Sequence, residues 1–470
     1  MSRERTTARS IVIEGGRVVG PIDSFNASVL IEDGTIKAVG RHIEVPRDAE
    51  RFDARGMLVL PGAVDVRTHV GVEHSGHESS GFGDTAGEAA LGGVTTFMAH
   101  AYPVKGQSLP DAVDAAVLEA TGVSHVDFAF HAGFTRIEER SDGEIADLVE
   151  LGAPSLVANT GGIDDPTALG DDELYGLLLE SSREGALVSV RSETGWLTRR
   201  RTGRLAEKGR LGARALAASR PSYAEGEAVA RTLRAAFQAD APVCIANVST
   251  GEALTAAEEA IDLGVDVYCQ TASHYLVLDE DLLQRSDGHR FATLPPLRGS
   301  AHREALWQGI EDGFVQVVAS DHCSFTADEK DEGSDDFRRI PPGVPSIGTL
   351  LPVLWTAGVR EGRMTENELV DLIATQPSEI FGLYPRKGAI REGADADLVI
   401  LDPELTLDAT PDVVGGHSDY AVYDAGALTG WPVATMVRGV WVVENRRLVG
   451  APSHGAFVPR KTVCQRPGVR

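Results

Sequence analysis

The chain is poor in cysteine, and the four it has (Cys244, Cys269, Cys323 and Cys464) are scattered without a Cys-x-x-Cys pair. That spacing excludes a disulfide framework and a zinc knuckle, and it leaves reduced thiols as the expected state. Long apolar runs are missing too: nothing approaches the roughly 20 residues that span a bilayer. The opening MSRERTTARS is basic but leads directly into strand-like sequence, without the apolar core of a signal peptide, so a cytoplasmic location is expected. Positive charge is also in short supply, with 44 Lys and Arg against 70 Asp and Glu and a net charge of -26. Such a balance argues against nucleic acid or an anionic membrane surface as a partner, and favours solubility. The sequence shows no repeat and no low-complexity linker.

What is present is alternation. A length of 470 residues fits two or three domains, or one large barrel with an attachment. Residues 11–60 read as short strands, and Asp33-Gly34 between two apolar runs signals a hairpin. GADADLVILDP (393–403) and TMVRGVWVVENRRLVG (435–450) are again strand-like, so strands from both ends could pair into one small β domain. Between them, apolar runs such as GVTTFMAHAYP, VDFAFHAGF, PSLVANTGG, ALVSVRSETG, PVCIANVST, VDVYCQTASHY and VQVVASDHC alternate with Ala-rich helical stretches. Strand-then-helix order from near Pro61 predicts a (β/α)8 barrel with its working face at the C-terminal ends of the strands. The expected divisions are residues 1–60 and 385–470 for a β-sandwich built from both termini, and 61–384 for the barrel. The one basic block, residues 196–221, reads as a solvated loop and helix over the barrel top.

One more absence bears on chemistry. In PGAVDVRTHV (61–70), a strand ending in Asp-x-His-x-His would present two imidazoles on one face to a divalent metal. Here Arg67 occupies the first position and only His69 remains. A guanidinium cannot shed its proton at any useful pH, so it repels a metal where an imidazole would bind it.

The motifs MLVLPGAVDVRTH, GGVTTF, SRPSYAEGEAVAR, LPPLRGSAHREALWQGIEDGFVQVVASDHCSF, IPPGVPSIGTLLPVL, FGLYPRKGAIREGADADLVILDP and GAFVPR resemble the hydantoinase, dihydropyrimidinase and allantoinase group of cyclic amidohydrolases, over nearly the whole length. The resemblance implies a distorted (β/α)8 TIM barrel plus a β-sandwich, and a homotetramer or homodimer. It also implies two metals held by four histidines, an aspartate and a carbamylated lysine, with a bridging hydroxide attacking a ring carbonyl. At the corresponding positions this sequence has Arg67 and His69, Val157 with no lysine near it, Arg191, Asn247 and Asp321. Only His69 and Asp321 of the six match, and the tyrosine that family hydantoinases carry after the lysine is missing from ANTGG. No binuclear centre, no metal and no cofactor are therefore expected.

The expected site is an Arg/Asp/His cluster: Asp321 as general base, His69 as proton shuttle, and Arg67, Arg191, Asn247 and Glu193 as substrate-binding groups. Asp321 and Glu193 are the expected counter-charges of the two arginines. The reaction implied is opening or closing of a C–N bond in a small, anionic cyclic amide, imide or ureide, without a metal. A catalytically silent member acting as scaffold or partner subunit, for which the collapsin response mediator proteins are a precedent within the family, is the alternative. A second alternative is a hydrolase with a metal site rebuilt from His74, His77 or His100. His131 and His322 are expected to pack behind the site, and Cys323 to be a buried small residue rather than a nucleophile.

Overall fold

The computed structural model of the chain describes residues 10–135, 143–161, 168–424 and 426–462. Cys464, the opening segment and the end of ANTGG lie outside these residues. Eight strands form one parallel sheet: β1 (Ala63–Thr68), β2 (Val94–Ala101), β3 (Asp127–Gly133), β4 (Ser155–Asn159), β5 (Leu187–Arg191), β6 (Val243–Ile245), β7 (Val267–Ala272) and β8 (Val317–Ala319). β2 to β8 each fall within one of the seven apolar runs of the sequence, and β1 falls within PGAVDVRTHV. The sheet curls until its ends meet: Thr68 bridges His322, and the His69 N–H donates to the His322 carbonyl at 2.7 Å. The result is a near-closed barrel, whose lower interior is filled by Val64, Val66, Met98, Leu187, Tyr268, Phe381 and Val458.

Helices pack outside. The helix α1 (Phe82–Leu91) follows β1, α2 (Gly195–Glu207) follows β5, and α3 (Ser222–Ala239) and α4 (Gly251–Asp262) flank β6. α4 begins where the Thr250 hydroxyl accepts the Ala253 N–H, an N-cap that satisfies an otherwise orphaned donor. α2 carries the basic block: Trp196 is exposed, while Thr198 and Thr202 are its buried contacts.

The second sheet has nine strands and draws on both ends of the chain. Leu58–Pro61 pairs antiparallel with Leu398–Leu407, which knits the N-terminal strands to the C-terminal ones. The Asp33-Gly34 turn has positive φ at both residues (51° and 80°), the backbone that a two-residue hairpin needs and that Asp and Gly tolerate. Between sheet and barrel, Lys387 is buried among Asp127 (2.6 Å), Asp397 (2.6 Å) and Asp395 (3.0 Å). Asp127 opens β3, so this cage lies at the opposite end of the barrel from the C-terminal strand ends. No helix among the described residues is long and apolar enough to cross a membrane.

Candidate active site at the barrel mouth

The C-terminal ends of the barrel strands bring Arg67, His69 and Asp321 together. Arg67 donates from Nε to Asp321 Oδ1 at 3.2 Å, and His69 Nε2 lies 3.4 Å from the same oxygen. Asp65 sets this arrangement: its buried carboxylate accepts the Thr68 hydroxyl (2.6 Å) and both the N–H (2.8 Å) and the hydroxyl (2.5 Å) of Ser320. It thereby pins the end of β1 to the end of β8, one residue before Asp321. Asp321 itself has φ of 51°, a left-handed backbone that aspartate adopts more readily than most residues.

Electrostatics divide the labour. Burial alone pushes the Asp321 carboxyl up, but the His69 hydrogen bond and the Arg67 charge outweigh it and hold it well below the usual carboxylate range. His69 is lowered, chiefly by burial and further by Arg67 and Arg191, against the pull of Asp321. At neutral pH the pair is thus a carboxylate and a neutral imidazole. Arg67 stands near the C-terminal end of β1 and Arg191 at the C-terminal end of β5, and both guanidinium charges act to lower His69 and His100. Arg191, at the end of β5, is held by two long contacts, to Asn159 Oδ1 and to the Leu294 carbonyl, each at 3.4 Å.

Around this cluster sit buried polar groups with unused hydrogen-bonding capacity. His100 packs edge-on against His69 with ring centroids 4.5 Å apart, and neither of its nitrogens has a partner. Asn247 is 1% exposed, yet its side-chain nitrogen and oxygen are both unpaired while its backbone N–H is held by Gln270. His274, just after β7, is fully buried with both nitrogens unpaired, and burial takes its pKa down to about 4. Buried polar atoms are normally paired, so a concentration of unpaired ones marks a place that receives a partner. Arg67 adds to this: beyond its Nε contact, its two terminal nitrogens make no hydrogen bond to any described residue.

Other expected residues have different surroundings. Glu193 is neutralised by Arg220 and does not serve as the counter-charge of Arg67 or Arg191; the buried pair is made across 27 residues of sequence. His131 is fully bonded, donating from Nε2 to the Val66 carbonyl (2.9 Å) and accepting the Ser155 hydroxyl at Nδ1 (2.7 Å). His322 accepts the Ser346 N–H at Nδ1 (3.2 Å) with Ser80 near Nε2 (3.3 Å), as a support behind Asp321 should. Cys323 is buried and its thiol is pushed up to about 12, in keeping with an inert packing role. His74 and His77 face one another across a two-stranded ribbon, with His77 3.2 Å from Glu332. Sequence reading overlooked His274; its place at the end of a strand-like run, in TASHY, was the signal for it.

The donor set does not fit a two-metal centre. Val157 is an aliphatic side chain buried on β4, Asn247 offers a neutral amide, and two guanidinium groups repel cations where ligands are required. Among the described residues, the one group of three or more His, Cys, Asp or Glu close enough to share an ion is Asp127, Asp395 and Asp397, whose centre holds the Lys387 ammonium.

Residues 58–442 match the model of the amidohydrolase family. A D-hydantoinase of Geobacillus stearothermophilus is 33% identical over 453 residues, 96% of each chain, and one of Ralstonia pickettii is 33% identical over 465 residues, 97% of this chain and 100% of that one. The crystal structure of a dihydropyrimidinase from Brevibacillus agri superposes with a TM-score of 0.93 at 32% identity, covering 97% of this chain and 100% of that one.

Proposed function

The chain belongs to the amidohydrolase family, and from that premise we propose that it acts on the C–N bond of a small, anionic cyclic amide, imide or ureide through an Arg/Asp/His cluster, without a metal pair. The observation that carries this reading is the free end of Arg67. A buried guanidinium anchored through Nε keeps two parallel N–H groups for an oxygen, the fork that grips a carboxylate or a polarised carbonyl. Arg191 supplies a second positive charge, and Asn247 and His274 supply unpaired groups for a ring's amide edge.

The roles of the two groups at Oδ1 follow from their protonation. A carboxylate as acidic as Asp321 is a weak base, so Asp321 orients His69 rather than taking the proton itself. With its Nε2–H directed to Asp321, His69 has its Nδ1 lone pair available as base. Water adds to the carbonyl carbon as its proton passes to His69 Nδ1, and Arg67 stabilises the charge that develops on oxygen. The C–N bond then breaks, and the same proton goes to the departing ring nitrogen. Since no metal assists, the carbonyl must already be activated, which favours an imide over a simple amide.

A specific observation favours a second reading, a silent member of the family: Arg67 and Asp321 are only 7% and 6% exposed, so the mouth is closely covered. Ring-opening assays on hydantoin, dihydrouracil, allantoin, dihydroorotate and cyclic imides, with and without chelator, separate the two. Chelator-resistant turnover that is lost in Arg67→Met and His69→Asn supports the enzyme; no turnover on any of these favours the silent form.

A further inference from the structure

Away from the mouth, α1, the segment 345–349 and the loop 409–423 line a small, partly open cavity of about 20 Å³, room for one or two water-sized groups. Glu88 projects into it from α1. The residue is 1% exposed, and neither carboxyl oxygen has a partner of full hydrogen-bond geometry. The buried Tyr420 hydroxyl, on a residue that also lines this space, is likewise unpaired. The nearest imidazole, His322, lies 3.8 Å away, and its Nδ1 already accepts backbone N–H groups, so it has no proton to offer there. The cradle is shaped around the carboxyl: a Cβ at Gly416, whose φ is +101°, would collide with Glu88 Oε2.

Every polar side chain lining this space offers oxygen: Glu88, Thr349, Ser418, Tyr420 and Tyr423. No lysine, arginine or histidine is among them. Oxygen-only surroundings suit a hard cation, and a single carboxylate among neutral hydroxyls matches one positive charge rather than two. Without a cation the Gly348 backbone N–H is the one favourable contact acting on the carboxyl, and burial outweighs it and pushes the group up to about 8.

We infer that this cavity is a site for a monovalent cation of the potassium or ammonium class, seated against the Glu88 carboxyl and tying the loop 409–423 to α1. The reading is independent of turnover at the barrel mouth. Its test is the thermal midpoint of the full chain at about pH 8 in about 100 mM potassium, ammonium or choline chloride, with magnesium chloride at matched ionic strength. Potassium and ammonium are expected to raise the wild-type midpoint at least about 1 °C above choline. Glu88→Gln should abolish that difference, and Tyr420→Phe should shrink it. Equal midpoints in potassium, ammonium and choline would mean that water alone fills the cavity and would overturn the inference. So would a larger response to magnesium than to potassium, or an undiminished potassium response in Glu88→Gln.

Discussion

Replacing Arg67 by methionine removes a guanidinium but keeps most of the packing volume, and it leaves Asp321 with His69 as its remaining neighbour in contact. The Arg67–Asp321 pair is 3.2 Å apart with both side chains 8% exposed. At an effective dielectric of about 20 that separation corresponds to roughly 5 kcal/mol of attraction. Desolvation offsets much of this in the intact pair, but cutting one partner leaves the other charge buried and uncompensated, at a cost of about 3–5 kcal/mol. His69 at 3.4 Å remains as a hydrogen-bonding neighbour and gives partial relief, so the expected loss is about 3 kcal/mol. The double variant Arg67→Met/Asp321→Leu should recover to within about 1 kcal/mol of wild type, since an apolar pair replaces an ionic one at little net cost. Denaturant unfolding at about pH 7.5, where Asp321 is fully ionised, measures both. Asp321 has a depressed pKa, so its contribution is complete above the ordinary value of 3.8 and is lost only as pH falls below it. A single-variant loss under about 1 kcal/mol, or a double variant no better than the single, would refute the claim that these charges compensate each other.

Other outcomes follow from the same physics. Glu88 has a raised pKa, so in choline buffer wild-type stability should fall as pH rises from 4.5 towards about 8, and Glu88→Gln should flatten that decline in a midpoint-versus-pH series. Lys387→Met leaves Asp397 buried without a cation, while Asp127 keeps Arg438 and Asp395 keeps Arg386, and should cost about 3 kcal/mol; adding Asp397→Asn should return part of it in the same unfolding assay. Burial raises the thiols of Cys244 to about 11 and Cys323 to about 12, so peptide mapping after iodoacetamide should find both unlabelled in the native protein and labelled only after denaturation.

Much of the fold was legible because it rests on local pattern. Short apolar runs bounded by Gly, Pro and Asn became β1 to β8, and Asp33-Gly34 became the hairpin turn, since each depends on residues adjacent in sequence. The meeting of Arg67, His69 and Asp321 was readable through resemblance, which supplied the pairing of the first and last strands. What stayed hidden was long-range pairing of charge. Nothing local tells that Glu193 belongs to Arg220, or that Asp65 reaches Ser320 across the closing seam of the barrel. The unpaired state of His100, Asn247 and His274 is likewise a property of three-dimensional surroundings, which residue type alone does not encode.

The most direct test of the central claim is the metal content of the full chain purified without chelator, measured by elemental analysis together with ring-opening turnover on the cyclic imide panel. The account predicts well under about one metal per chain and turnover that chelator leaves intact. About two metals per chain, with turnover abolished by chelator, would contradict it and would mean that other residues rebuild the centre.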